Sequence, residues 1–485
     1  MKERLPYTLL FVVISMGVMM GLIRPYLIET AQLTPFLTTR VFAQEMITRH
    51  TWGIVYYAAS FMQSCLARPW LGASLLTTML VAIAYVTRWA TNLSDKCFGI
   101  CWIVPFLLIT RYTQMGYMVY VSKEIAIAFA WPIFTLLSLI VAGLLIKGLR
   151  YFFRNDKPQH QMSKALSRTL ICLSFIAFTG SAYRFWNQTY KDQNFINSLQ
   201  MKQAGEQGNW ERIVQLARKN HQEPTRLQVC LNRLALYKTG KMGEQLFTFP
   251  DGSATYNTPE QQQWLRLMGA QLLYYNYGKT GFAYRWAMED MVEYGMRPMY
   301  LRTLYRVALL NGETMLAKKY HQALCHTLFY KEETNDIERD AQAIRPLMNY
   351  TDQLDGDNGL VEFYLLQSFT LTEGGSREIV ELSLMCSLIT KQLEGFWPRF
   401  MALLPGWQGI IPIHYQEAAL MVAQLQGGID INTLPIDPQV RQRFERLVEV
   451  SAQMGDSANN AYNLKSEFGN TYWYYYFFVE GLKTT

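Results

Sequence analysis

The stretch Leu71-Gly-Ala-Ser-Leu-Leu-Thr-Thr-Met-Leu-Val-Ala-Ile-Ala-Tyr-Val-Thr87 decides the fold class. It holds no charged residue, with Pro69-Trp70 before it and Arg88-Trp89 after it. A run of this length with its flanks matches the ~20 residues that a helix needs to cross a bilayer. Tryptophan at both ends fits the headgroup level. The expected fold is therefore all-α, beginning with membrane helices.

Four further apolar runs surround it. Residues 5–23 follow Met1-Lys-Glu-Arg and are too long for a signal-peptide core. No small-residue cleavage site follows them, only Arg24-Pro-Tyr-Leu-Ile-Glu29, so they read as an uncleaved first span. Residues 97–110 are short for a span and read as a tilted or re-entrant piece. Residues 125–146 form a fourth, with a kink expected at Trp131-Pro132, and 166–184 a fifth. The segment 31–66 is different. Val41, Phe42, Glu45, Met46 and Arg49 are spaced as an amphipathic helix lying in the interface. Trp52 to Leu66 reads as a shallow or half-spanning helix. The count is five spans, within a range of four to six.

Charge follows the same division. Residues 1–190 carry 17 Lys and Arg against 6 Asp and Glu, whereas 191–485 carry 28 against 32. The overall +7 thus belongs to the apolar part, and a mildly acidic remainder argues against nucleic-acid binding. Between the fourth and fifth runs lie Lys147, Arg150, Arg154, Lys157 and Lys164, opposed only by Asp156. Short basic connections stay in the cytoplasm. Five spans then place the N-terminus inside and the C-terminal domain in the periplasm of a bacterial inner membrane.

The expected domains are a membrane domain over 1–187, helical hairpins over 188–330 and a helical subdomain with an aromatic tail over 331–485. In the second, Gly208, Gly240, Gly278 and Gly312 recur at 32, 38 and 34 residues. Ala283 and Ala317 each follow a glycine by five residues; Leu216, Trp286 and Tyr320 follow by eight. A helix, a glycine turn and a second helix with a small crossing residue describe a tetratricopeptide-like hairpin. An irregular helical bundle is the alternative. The tail Phe468-Gly-Asn-Thr-Tyr-Trp-Tyr-Tyr-Tyr-Phe-Phe478 reads as a helix closing the core, an interfacial anchor or a stacking platform.

Chemistry is sparse. No phosphate loop, nucleophile elbow, HExxH or CxxC motif occurs, and neither cofactor nor metal is expected. Cys97 and Cys101 read as packing residues. His414 and Glu417 have a spacing that suits a shared metal, but they lack a second pair. His321, Cys325 and His326 read as parts of a repeat helix. The candidate catalytic residues are Glu29 and Glu45, in the first outside loop with Arg24, Arg40 and Arg49. Membrane glycosyltransferases acting on lipid-linked sugars place an acid in this loop, although as an Asp. Arg111, Lys123 and Glu124 bracket the next outside loop and read as solvated charges at span ends.

The stretches Ala31-Gln-Leu-Thr-Pro-Phe-Leu-Thr-Thr39, Arg68-Pro-Trp-Leu-Gly-Ala73, Gly208-Asn-Trp-Glu-Arg-Ile-Val214, Leu231 to Phe247, Pro412-Ile-His-Tyr-Gln-Glu-Ala418 and Phe468-Gly-Asn-Thr-Tyr-Trp473 carry a resemblance. They resemble a family of multi-pass membrane proteins from Bacteroidota, a domain of unknown function with a helical-repeat C-terminus. The resemblance implies the architecture, implies longer relatives with more membrane helices, and brings no catalytic residues. The expected role is an envelope scaffold or interaction protein that binds the lipid bilayer and a protein or envelope-component partner. The alternative is a membrane glycosyltransferase-like enzyme with Glu29 or Glu45 as general base.

Overall fold

The structure, a computed structural model, describes residues 4–112, 118–121, 126–152, 193–252, 259–331, 340–348, 356–427, 430–454 and 460–480, with scattered positions from 169 to 183. Among the described residues it is all-α, without strands. The chain forms two compact units that do not follow chain order. The first joins Met1–Leu199 to Ala287–Glu333; the second joins Gln200–Trp286 to Thr334–Thr485.

Among the described residues of the first unit, two helices are long and apolar enough to cross a membrane, Pro69–Thr91 and Phe129–Phe152. Pro69 starts the former, where a missing N–H costs nothing, and Asn92 ends it in the left-handed region at φ +55°. The latter belongs to a longer helix, Ala126–Phe152, that continues through Pro132. The two pack together where Gly143 meets the Trp89 ring. A Cβ at that glycine would lie 2.3 Å from the indole, so the close approach requires glycine.

The other expected spans fare differently. The first run is helical over Leu5–Gly17 and continues as a π-turn, Val18–Leu22. It then bends by 71° into Arg24–Gln32, where Pro25 withholds an N–H. Only if that bent pair is one span does the count reach three among the described residues. Residues 97–110 form a 3-10 segment, Asp95–Trp102, and a short helix, Ile103–Tyr112, too short to cross. The run 166–184 lies mostly outside the described residues, as do Lys123, Glu124 and the basic positions 154, 157 and 164. The segment 31–66 holds two helices, Arg40–Arg49 and Gly53–Ser64, packed on each other.

The four spaced glycines share one turn geometry, with φ between +67° and +77°. Each closes a helix with the same hydrogen bond across six residues: Asn209 to Ala204 (2.8 Å), Lys241 to Leu236 (2.8 Å), Lys279 to Tyr274 (2.9 Å) and Glu313 to Ala308 (2.8 Å). This is the Schellman closure, for which a residue without Cβ is preferred. The helices so joined include Gln193–Glu206 with Trp210–Lys219, Pro259–Asn276 with Thr280–Tyr294 and Pro298–Leu310 with Thr314–Cys325. Ala283 and Ala317 are buried, as residues near helix crossings should be.

Gly278 carries a second constraint that Gly240 lacks. A Cβ at Gly278 would lie 2.6 Å from the Leu347 carbonyl, whereas Gly240 has no atom within 4 Å of that point. Both alanine variants incur about 1–2 kcal/mol for the left-handed backbone. Gly278→Ala is expected to lower the thermal midpoint in detergent clearly more than Gly240→Ala; equal losses would contradict this packing.

Candidate functional site

Glu29, one of the two candidate acids, is fully buried in the helix Arg24–Gln32. The Tyr120 hydroxyl donates to its Oε1 at 2.6 Å. Tyr120 lies in the short helix Met118–Val121, and its carbonyl accepts from the Arg297 guanidinium at 3.5 Å. Arg297 is also fully buried. It donates to the Tyr300 hydroxyl at 3.3 Å and lies against the rings of Tyr294 and Tyr300, at 4.9 and 5.8 Å from their centroids. Burial pushes the Tyr300 phenol up; Arg297 opposes this and buried Asp290 reinforces it. Aromatic faces suit a guanidinium withdrawn from water.

A polar layer extends from Glu29. Gln63 donates to the Thr30 carbonyl at 3.4 Å. Thr30, Thr34 and Ser64 bond back to Tyr26, Thr30 and Ser60 carbonyls in their own segments, at 2.8 to 2.9 Å. Such back-bonding lets hydroxyls sit in an apolar setting. Chemically, the cluster stabilises a sealed carboxylate and a sealed guanidinium that share Tyr120. A general base must also reach its substrate, and Glu29 is 0% exposed.

Glu45 stands in a different environment. Its side chain is 41% exposed and pairs with Arg49 one turn on, at 2.5 Å. Arg24 and Arg40 are exposed. The segment between the first two apolar runs therefore sets Glu29 and Glu45 in separate environments, one sealed and one at the surface.

The remaining sequence candidates serve packing. His414 Nδ1 lies 2.9 Å from Glu417, while its Nε2 accepts the Phe247 N–H at 3.3 Å. Glu417 also accepts the Tyr472 N–H at 2.8 Å, and its carbonyl accepts the Trp473 indole at 2.7 Å. Both imidazole nitrogens are thus engaged, and this network fastens the aromatic tail. Tyr472, Trp473 and Tyr475 are buried, so the tail closes the core of the second unit. Cys325 lies 3.8 Å from the His321 ring, exposed, and the His326 carbonyl accepts from Thr38. Cys97 and Cys101 are buried free thiols. No group of metal-binding side chains occurs among the described residues.

One cluster escaped the sequence reading. Arg226 and Arg233, seven apart on the helix Arg226–Lys238, converge on Glu362 and Asp251 inside the second unit. Arg226 reaches Glu362 at 2.8 Å through Nε, and Arg233 reaches it at 2.7 Å. Burial alone would push the Glu362 carboxyl up, but the two guanidiniums outweigh it and hold it below the usual range. The only local signal was two arginines one heptad apart on a helix rich in Leu. Nearby, Asp357 accepts from the Tyr274 hydroxyl (2.6 Å) and the Trp286 indole (2.8 Å).

Substitution at Glu29 separates charge from hydrogen bonding. Glu29→Gln keeps an acceptor for Tyr120, whereas Glu29→Leu removes the acceptor 2.6 Å from its buried hydroxyl, at a cost of about 1–3 kcal/mol. The thermal midpoint in detergent is expected to fall in the order wild type, Gln, Leu. A Leu variant as stable as the Gln variant would exclude the Tyr120 bond as a structural tie.

Comparison with known proteins adds one finding. A family described as a family of unknown function (DUF6057) matches residues 121–479. No curated protein and no solved structure matches the chain. The matched stretch contains Arg297, the four glycine turns and the Arg226–Arg233–Glu362 cluster, while Glu29, Glu45 and Tyr120 precede it. With about three quarters of its length so matched, the chain belongs to the DUF6057 family of unknown function.

Proposed function

We propose that the protein is a membrane-anchored interaction protein, whose helical pairs bind another protein or an envelope component outside the cytoplasm. The observation that carries this reading is the repeated glycine closure, four turns with one geometry, which lies within the family match. Repeated helix pairs stack into extended surfaces suited to a peptide or a partner helix. The buried Glu29, Arg297, Arg226, Arg233, Glu362 and His414 are engaged in hydrogen-bonded packing networks, which also favours recognition over catalysis.

A bacterial inner-membrane setting is part of the proposal. Its support is charge at one end of the helical array. Arg4, before the first helix, holds Asp95 through two bonds of 2.9 Å, and Arg88, in the last turn of Pro69–Thr91, holds the same carboxylate. Lys147, near the end of Ala126–Phe152, lies 4.0 Å over the Trp89 ring. A basic end favours the cytoplasmic face. Glu29, beyond the far end of the first helix from Arg4, then belongs to the opposite end of the array.

The second reading, a membrane glycosyltransferase-like enzyme on a lipid-linked substrate, draws support from one buried acid at that opposite end. It requires Glu29 to exchange Tyr120 for a substrate hydroxyl. Affinity capture of the full chain from solubilised membranes distinguishes the two. The interaction reading expects one stoichiometric partner and an unchanged profile of lipid-linked sugars in a deletion strain. An altered profile that Glu29→Gln reproduces would replace it with the enzyme reading.

A further inference from the structure

We propose that the helices Arg40–Arg49 and Gly53–Ser64 form a hairpin wedge seated in the lipid interface of the bilayer. The inference rests on the membrane reading above and adds a specific lipid-contacting surface to it.

The hairpin turns sharply. A Cβ at Gly53 would lie 2.4 Å from the Ile47 backbone, so the helices touch at their crossing. Part of the turn bonds within itself: Gly53 N–H bonds to the His50 carbonyl at 3.0 Å and Val55 N–H to Trp52 at 2.9 Å.

Its outer surface carries large apolar side chains among the exposed Arg40, Gln44, Thr48, Arg49 and Thr51. Val41 is 73% exposed, Trp52 60% and Ile54 68%; Ile47 and Phe61 are exposed as well. This surface joins that of a candidate span. The Trp52 ring meets Phe134 edge-on at 5.7 Å, and Phe134 lies five residues inside Phe129–Phe152. At 1.5 Å per residue, the tip of the hairpin reaches about 8 Å past the start of that candidate span. Trp70 and Leu71 are exposed at the start of Pro69–Thr91. Depth fixed by a neighbouring span, tryptophan at the tip and exposed aliphatics together fit the acyl–headgroup boundary. The exposed Arg49 and Arg40 have stems long enough to place their charge among headgroups. Glu45, paired to Arg49, enters as a neutralised partner.

The test uses the full chain in phospholipid nanodiscs, with exposed Cys172 and Cys325 replaced by Ser. Spin labels are attached at Val41→Cys and Ile54→Cys, and collision with oxygen is compared with collision with a water-soluble nickel chelate. Leu144→Cys, exposed on the candidate span, is the lipid control, and Ile410→Cys, exposed in the second unit, is the aqueous control. The expected result is oxygen-rich, nickel-poor collision at Val41 and Ile54, approaching Leu144. Nickel access at both hairpin positions with Leu144 still lipidic would overturn the wedge alone. Protection from both agents would mean a protein partner or second copy covers the hairpin, and would also overturn it. Nickel access at Leu144 itself would overturn the membrane reading.

Discussion

A buried chain of partners, Glu29 to Tyr120 to Arg297, organises the first unit. It draws residues from three distant parts of the sequence into one interior. An isolated carboxylate or guanidinium in an apolar setting costs several kcal/mol, so each must be bonded where it is buried. The consequence is topological. The hairpin Pro298–Leu310 with Thr314–Cys325 belongs to the same unit as the apolar helices, although most of the intervening chain folds elsewhere. Two lesser ties repeat the arrangement: Thr38 bonds the His326 carbonyl at 2.9 Å, and Arg68 lies over the Phe329 ring.

The second unit solves the same problem with a closed ion cluster. Two arginines face two acids, so the interior carries no net charge at Arg226, Arg233, Asp251 and Glu362. Removing one partner leaves the others buried and unpaired, which is why such clusters are costly to break. The tail is fixed by ordinary hydrogen bonding around Glu417 and by Lys391. That lysine stands at φ +60°, the conformation glycine occupies in the four repeated turns, and donates to the Val479 carbonyl at 2.7 Å. Its bond to the tail compensates for part of the strain of its backbone.

Several of these features were legible in the chain. The run from Leu71 to Thr87 is a long helix because hydropathy over one span is a local property. The spaced glycines are helix closures because a left-handed turn is also local. The short third run and the bend at Ile23 were harder, since helix continuity depends on Pro25 and on neighbours as well as on hydropathy. Arg297 and Glu362 were not legible at all. Nothing near either residue marks it as buried, and Tyr120, which bonds Arg297, and Arg226 and Arg233, which hold Glu362, lie more than a hundred residues away. Glu29 was singled out as an acid in an outside loop, but its burial comes from Tyr120 and the hairpin, which the local sequence does not announce.

Amide hydrogen exchange across Pro298–Cys325, compared between the wild-type chain and Arg297→Met, tests the central tie most directly. The account expects faster exchange throughout that hairpin in the variant, with Arg226–Lys238 in the second unit unchanged. Unaltered exchange in the hairpin would show that the buried arginine does not hold it, and would contradict the account.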